Sequence, residues 1–153
     1  MTDYLDLLIN ACQKAKDAEP INELTLYNAD AIQDLNINKG IYIIREVGGN
    51  PDETYRDFIA FKASHSKACC KVNKPSEVLY VGSSTTGIKK RLTQHLVHCA
   101  DQTYALHLYA WFKGKYKVDV LEYDEPNEVI QLIEDNISNK LKPAFGKQGG
   151  NNK

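Results

Sequence analysis

The sequence contains no apolar run approaching the about 18 residues that a membrane-spanning helix requires. Its N-terminus also lacks a basic segment followed by an apolar stretch and a cleavage site, which is the pattern of a secretory signal peptide. These absences predict a cytoplasmic protein with no membrane partner. No internal repeat or low-complexity linker divides the 153 residues. A chain of this length can bury one core, so we expect a single domain over residues 1–153.

Cysteine is scarce. The four cysteines show no CxxC spacing, and a disulfide framework in a chain of this size would usually be denser. We therefore expect reduced thiols, with Cys12 and Cys99 at apolar helical positions in the core. The adjacent Cys69 and Cys70 side chains cannot both easily reach one tetrahedral ion, which argues against a zinc site.

A surplus of positive charge, common among proteins that bind phosphate backbones, is also missing, because the formal net charge is −1. This average hides an asymmetry. Residues 1–60 hold eleven acidic and five basic side chains, whereas residues 61–153 hold nine and fourteen. The second part of the chain can present a basic face to nucleic acid, although an ordinary solvated surface is the alternative interpretation.

Hydrophobic periodicity predicts four main helices. The first is amphipathic, runs from about Tyr4 to Ala15 and has Thr2 or Asp3 available as its cap. Hydroxyl groups of residues 83–86 are candidate caps for the second. The remaining predicted helices cover 87–100, 103–112 and 126–141.

Runs of β-branched and aromatic residues bounded by turn residues predict the strands. The best patterns lie at 40–47, 78–82 and 116–123. Weaker patterns favour extended segments at 24–27 and 54–63, and a short helix capped by Asn28 or Asp30 follows the first of these. The result is a small sheet interleaved with helices.

Two of the strong strands carry a tyrosine beside a glycine, in Gly40-Ile41-Tyr42 and in Tyr80-Val81-Gly82. Tyrosines are common in strands, and either one alone would be explained by core packing or a cross-strand pair. The two tyrosines indicate a functional site only in combination with the charged residues that follow them in the sequence.

Arg91 and His95 are four residues apart on a predicted helix, so their side chains project from one face. A guanidinium can neutralise a phosphate, and a nearby imidazole can accept or relay a proton close to neutral pH. The pair therefore indicates a phosphodiester site. The alternative is an exposed basic helix, because Lys89 and Lys90 precede Arg91.

Glu134 borders the apolar stripe of the last predicted helix, three residues before Ile137 and four after Ile130. A carboxylate in this position is a candidate ligand for Mg²⁺ (or Mn²⁺), since hard cations prefer oxygen donors. The alternative is an ordinary glutamate on a helix surface.

Taken in order, these residues resemble the GIY-YIG nuclease superfamily, which includes homing endonuclease domains, a nucleotide-excision-repair incision subunit and several restriction enzymes. The resemblance covers residues 39 to about 150. It implies an α+β fold with a small central three-stranded antiparallel sheet flanked by helices. Residues 1–38 would be an N-terminal helical extension, and 39–150 a nuclease core with an insertion at about 48–77.

The resemblance also implies a one-metal hydrolysis of DNA. Tyr42 would act as general base or orient the attacking water, with His95 taking the tyrosine proton. Arg91 would stabilise charge on the phosphate, Tyr80 would hydrogen-bond within the site, and Glu134 would hold the metal. A free tyrosine has a pKa of about 10, so base chemistry at neutral pH needs cationic help nearby.

The chain departs from the family pattern in two places. The family usually joins its tyrosine strands by a short turn, but 37 residues lie between Tyr42 and Tyr80 here. Basic residues in this insertion are predicted to contact the nucleic-acid backbone. After Pro143, where members often place an asparagine, this chain has Gly146, and the next asparagines in the sequence are Asn151 and Asn152.

The candidate nucleic-acid contacts are Lys71, Lys74, Lys89, Lys90, His107 and Lys142. For His107, a structural role is the alternative. The insertion also carries Arg56, Lys62 and Lys67.

The sequence thus predicts a magnesium-dependent DNA endonuclease of restriction, mobile-element or repair type. The alternative is a nucleic-acid-binding module that keeps the fold but has lost efficient catalysis. The sequence leaves the oligomeric state open, although a double-strand cut would suit a homodimer.

Overall fold

The computed structural model describes residues 3–65 and 68–148. Thr2, Lys67, Asn151 and Asn152 lie outside these ranges. The helices are α1 (Tyr4–Asp17), α2 (Pro51–Ser64), α3 (Ile88–Leu96), α4 (Leu108–Trp111) and α5 (Asn127–Leu141), with a 3₁₀ helix at Ala29–Asp34. The strands are β1 (Asn22–Leu26), β2 (Gly40–Val47), β3 (Val78–Ser84) and β4 (Lys115–Glu122).

An antiparallel sheet in the order β1-β4-β2-β3 forms the centre of the α+β fold. The predicted fold class is confirmed, but the sheet has four strands instead of three. The additional strand is β1, which comes from the N-terminal extension and pairs with β4 along its whole length. The extension therefore contributes to the sheet as well as carrying α1.

The sheet separates two apolar clusters, because successive side chains of a strand point to opposite faces. On β2, Ile41 and Ile43 belong to the cluster that α5 covers. Tyr42 and Ile44 belong to the larger cluster with α2 and α3. A tyrosine in β2 thus lies beneath the helix that carries Arg91.

Residues 51–64 form helix α2, so the strand predicted at 54–63 is wrong. Pro51 occupies the first turn, and the Asn50 side chain caps the helix by accepting a hydrogen bond from the Asp52 amide at 2.9 Å. Phe58 and Phe61 are buried on the face that meets the core. The helical spacing of the buried residues outweighs the β propensity of the segment.

The helix predicted at 103–112 is also largely wrong, since only α4 is helical. Ala105 forms a bridge with Cys69, and the Leu106 amide donates to His95 Nδ1 at 3.0 Å. His107 then adopts a left-handed conformation with φ of 52°. These tertiary hydrogen bonds replace the helical ones that the local pattern predicts.

Helix α3 is shorter than predicted and ends at Leu96. Gly87 is its N-cap, without a side-chain hydrogen bond, while Ser84 Oγ accepts from the amides of Thr86 and Gly87 in the preceding turn. The Ser84 hydroxyl thus stabilises the turn that precedes α3 and does not cap the first turn of the helix.

None of the four cysteines, all of which lie in the described ranges, forms a disulfide. Cys12 is exposed and Cys99 only half-buried, so their expected core positions are wrong. Helix α1 has no buried residue, and it touches the core through the partly buried Ala11 and Ala15. Within the described ranges, no helix is long and apolar enough to cross a membrane.

Candidate active site

Four of the five predicted catalytic residues line one cavity of about 210 Å³. Tyr42 comes from β2, Tyr80 from β3, Arg91 from α3 and Glu134 from α5. The other lining residues are Val81, Gly82, Ser83, Gln131 and Lys147. Side chains far apart in sequence therefore share a space suited to one phosphate group and its solvent.

The strand register brings the two tyrosines together. Tyr42 pairs with Gly82 and Ile44 pairs with Tyr80, so the tyrosines are diagonal neighbours on one face. Their rings stack with centroids 6.1 Å apart and an interplanar angle of 8°. A Cβ atom on Gly82 would lie 2.4 Å from Tyr42 Oη, which explains why glycine occupies this position.

His95 lies behind Tyr42, outside the cavity lining, and is fully buried. Its Nε2 is 3.2 Å from Tyr42 Oη, and its Nδ1 accepts from the Leu106 amide. A neutral imidazole whose Nδ1 accepts carries its proton on Nε2. His95 therefore donates to Tyr42, and this geometry opposes the predicted transfer of the tyrosine proton to His95.

Burial sets the protonation of this pair. It lowers the pKa of His95 well below its ordinary value, and the Arg91 charge acts in the same direction. Burial, followed by Tyr80, raises the pKa of Tyr42 well above its ordinary value despite the opposing effect of Arg91. Burial likewise raises the pKa of Tyr80. Both tyrosines and the histidine are neutral near pH 7 in this environment.

Arg91 is held by contacts on several sides. Its Nη2 donates to the Tyr104 carbonyl at 2.9 Å and lies 3.5 Å from Tyr80 Oη, while Nη1 donates to Gln94 Oε1 at 2.7 Å. Burial acts to lower the pKa of Arg91, but Tyr42 and Tyr80 raise it overall. The result is an oriented guanidinium that stays charged at the cavity wall.

Glu134 is only 5% exposed although it is an acid on a helix. Gln131, one turn earlier on α5, donates to Glu134 Oε2 at 2.8 Å and to Asp135 Oδ1 at 3.0 Å. The described residues contain no group of three or more His, Cys, Asp or Glu side chains that could hold a metal. One carboxylate suits Mg²⁺, which keeps several waters, and does not suit zinc, which takes three or four protein ligands.

The candidate nucleic-acid contacts are spread over the surface. Lys71 lies beside the cavity, Lys74 and Lys142 line a separate depression, and Lys89 donates to the Gln33 carbonyl. Lys90 is exposed on α3.

His107 is fully buried and does not present a surface to nucleic acid. Its Nε2 is 2.7 Å from the Ala68 carbonyl, and its Nδ1 is 3.2 Å from Cys99 Sγ and 3.1 Å from Tyr109 Oη. His107 therefore has a structural role, which was the alternative to the predicted phosphate contact.

Sequence reasoning missed Asn73 and Lys147. Asn73 Nδ2 donates to the carbonyls of Pro143 and Gly146 and so ties the insertion to the C-terminal loop. This loop places Gly146 against the Tyr80 ring and Lys147 at the cavity. No local signal marks either residue, because their positions depend on contacts about 70 residues apart.

Comparison with known proteins identifies a family. The family model described as the GIY-YIG catalytic domain matches residues 69–148, just over half of the chain. No curated protein and no solved structure matches the chain. The match begins after β2, whose Tyr42 reaches the matched part through pairing with β3. The chain belongs to the GIY-YIG family of nuclease-type catalytic domains.

Proposed function

We propose that this protein is a magnesium-dependent endonuclease that hydrolyses phosphodiester bonds in DNA. The observation that carries the proposal is the convergence of Tyr42, Tyr80, Arg91 and Glu134 on one small cavity. A fixed cation, neutral hydroxyls and a buried carboxylate together meet the demands of phosphodiester hydrolysis.

Arg91 binds the scissile phosphate and stabilises the negative charge that grows on its oxygens. The guanidinium is already oriented by the Tyr104 carbonyl and Gln94, so little reorganisation accompanies the reaction. Tyr80, 3.5 Å from Arg91, helps to hold the guanidinium and donates its own proton towards the phosphate.

Tyr42 orients the attacking water. Its hydroxyl oxygen accepts a hydrogen bond from His95, and its own O–H is left to donate to the oxygen of the water. As this oxygen bonds to phosphorus, the water's proton passes to a non-bridging phosphate oxygen and the bond between phosphorus and the leaving oxygen breaks. The raised pKa of Tyr42 favours this neutral role over that of a tyrosinate base. His95 is a positioning residue, since it acts on the substrate only through Tyr42.

Glu134 would hold the magnesium ion, with Gln131 fixing one carboxylate oxygen. When bound, the ion would stabilise charge on the leaving oxygen.

The test is to incubate the purified protein with supercoiled plasmid, with magnesium and with chelator. We expect nicking or linearisation with magnesium only, and a loss of at least about 100-fold in Arg91→Ala and Glu134→Ala, as is typical when one electrostatic contact to a transition state is removed. Glu128→Ala, an exposed acid in the first turn of α5 that does not line the cavity, is the matched control and should retain cleavage.

Undiminished cutting by Glu134→Ala would overturn the metal assignment. A wild-type protein that binds DNA but never cuts it would instead favour the inactive binding module.

A further inference from the structure

A second cavity, of about 620 Å³, adjoins the catalytic one and shares Tyr80, Arg91 and Lys147 with it. The insertion supplies Lys62 and Lys71 to its wall. The remaining lining residues are Cys69, Cys70, Tyr104 and Gly146. A volume of this size lies in the range of about 300–1,000 Å³ that ligand sites occupy.

The charge of this cavity is uniformly positive. Four of its lining residues are basic, and none of the described residues that line it carries a carboxylate. Burial raises the pKa of the Cys70 thiol to about 12, so this thiol adds no negative charge near pH 7. The protein as a whole has a net charge of −1, so the basic groups are concentrated locally at this cavity. Such a local concentration of positive charge attracts an anion.

An exposed aromatic ring lies at the same place. Tyr104 is 69% exposed, although its carbonyl accepts a hydrogen bond from Arg91. The residue therefore fixes the guanidinium with its main chain and leaves its ring free to stack on a base. Bases stack on protein aromatics when they are unpaired, as in single strands.

We propose that this second cavity binds the nucleotide next to the scissile phosphate, with its phosphate on Lys62 and Lys71 and its unpaired base on Tyr104. The inference rests on the proposed nuclease function and adds a substrate class to it. The substrate is a strand with an unstacked nucleotide beside the cut, as in a single strand, a flap or a frayed end.

Binding in chelator tests the subsite without cleavage. Fluorescence anisotropy of a labelled 12-nucleotide single strand and a duplex of equal length is measured over a range of salt concentrations. For the double variant Lys62→Gln/Lys71→Gln we expect a weaker salt dependence on the single strand. The slope of the log of the association constant against the log of the salt concentration should become shallower by about 0.7 for each lysine. Lys113→Gln/Lys115→Gln removes the same charge from residues lining neither cavity and should keep the wild-type slope.

Tyr104→Ala tests the stacking platform, because it removes the ring and keeps the carbonyl that holds Arg91. We expect it to weaken single-strand binding by about tenfold, given the about 1–3 kcal/mol of a base–aromatic stack. Tyr104→Phe should bind like the wild type, and Tyr104→Ala should leave duplex binding unchanged. Far-UV circular dichroism of each variant establishes that it is folded.

A wild-type salt slope in the double lysine variant, or an equal effect of Tyr104→Ala on single strand and duplex, would overturn the proposed subsite. Magnesium-dependent cleavage by the same wild-type protein separates the two proposals. If the wild type cuts the labelled single strand in magnesium while the variants bind as tightly as it does, only the subsite fails. If the variants lose binding as expected and the wild type cuts neither the single strand nor plasmid, only the nuclease function fails.

Discussion

At the scale of single residues, the site depends on groups whose ordinary chemistry is changed by burial. His95 is fully enclosed, and both of its ring nitrogens have partners, Tyr42 and the Leu106 amide. The sequence predicted that Arg91 and His95 project from one helix face. It could not predict that one would reach the cavity and the other would be buried behind a tyrosine, because that depends on the depth at which α3 packs.

The buried histidine predicts a pH dependence of stability. The folded-state pKa of His95 lies below its unfolded value of about 6.5, so the unfolded chain binds an extra proton as the pH falls below that value. The free energy of unfolding should therefore decrease on acidification, by up to about 1.4 kcal/mol per pH unit. Urea titrations between pH 7 and 5 measure it. His95→Gln should flatten the dependence, whereas His98→Gln, at an exposed position, should not. Equal slopes in all three proteins would contradict the prediction.

Gly146 allows a second prediction, because the resemblance to the family leads us to expect an asparagine at this point. Its φ is +84°, and a Cβ atom there would lie 2.6 Å from Tyr80 Cε2. Gly146→Asn should therefore displace Tyr80 and reduce plasmid cleavage by about tenfold or more, at a cost in strain of about 1–3 kcal/mol. Gly48→Asn is the control, since Gly48 has a φ of +70° with nothing within 4 Å. Improved cleavage by Gly146→Asn would show that the missing asparagine limits activity.

At the scale of elements, the insertion at 48–77 is part of the core. Helix α2 buries Phe58 and Phe61. The segment after α2 forms two β-bridges, one between Cys69 and Ala105 and one between Val72 and Phe145. The sequence predicted an insertion at about 48–77, and in the structure β2 ends at Val47 and β3 begins at Val78. The sequence pattern predicted a strand where α2 forms. Phe58 and Phe61 are residue types that favour strands, and only their spacing of three residues indicates a helix.

Phe58 tests whether α2 stabilises the domain. Its ring is fully buried, with centroids 4.3 Å from Phe145 and 5.1 Å from Trp111. Phe58→Ala should lower the free energy of unfolding by about 3–5 kcal/mol, because the cavity left behind cannot close fully. Ile59→Ala, the next residue on α2 and 42% exposed, should change it by less than about 0.5 kcal/mol. Urea denaturation compares them, and similar small effects would mean that α2 is dispensable.

At the scale of the whole molecule, the N-terminal 38 residues divide into two parts of different importance. Helix α1 buries none of its residues. The rest of the segment supplies strand β1, places Ile32, Leu35 and Ile37 in the core, and offers the Ile37 carbonyl to the Ile88 amide at 3.2 Å. The predicted division into a 1–38 extension and a 39–150 core therefore depends on whether the core folds without the extension.

Two truncations answer this question. Removal of residues 1–19 should leave a cooperative thermal transition at a lower Tm, because the sheet and the main core remain intact. Removal of residues 1–38 should abolish the transition, since it exposes the β4 edge and removes four buried side chains, Leu26, Ile32, Leu35 and Ile37, from the core. Circular dichroism melts distinguish them. A cooperative melt from the 39–153 fragment would instead show that the core folds without β1.

The sequence by itself determined the main strands, the order of the catalytic candidates and the family, because alternation, glycine-bounded tyrosines and helical spacing are local properties. Only the tertiary structure decided that β1 joins the sheet, that His95 donates to Tyr42, that His107 is internal and that Asn73 ties the insertion to the loop carrying Lys147. Each of these depends on burial or on a hydrogen bond between residues distant in the chain, and neither is encoded in any short window of sequence.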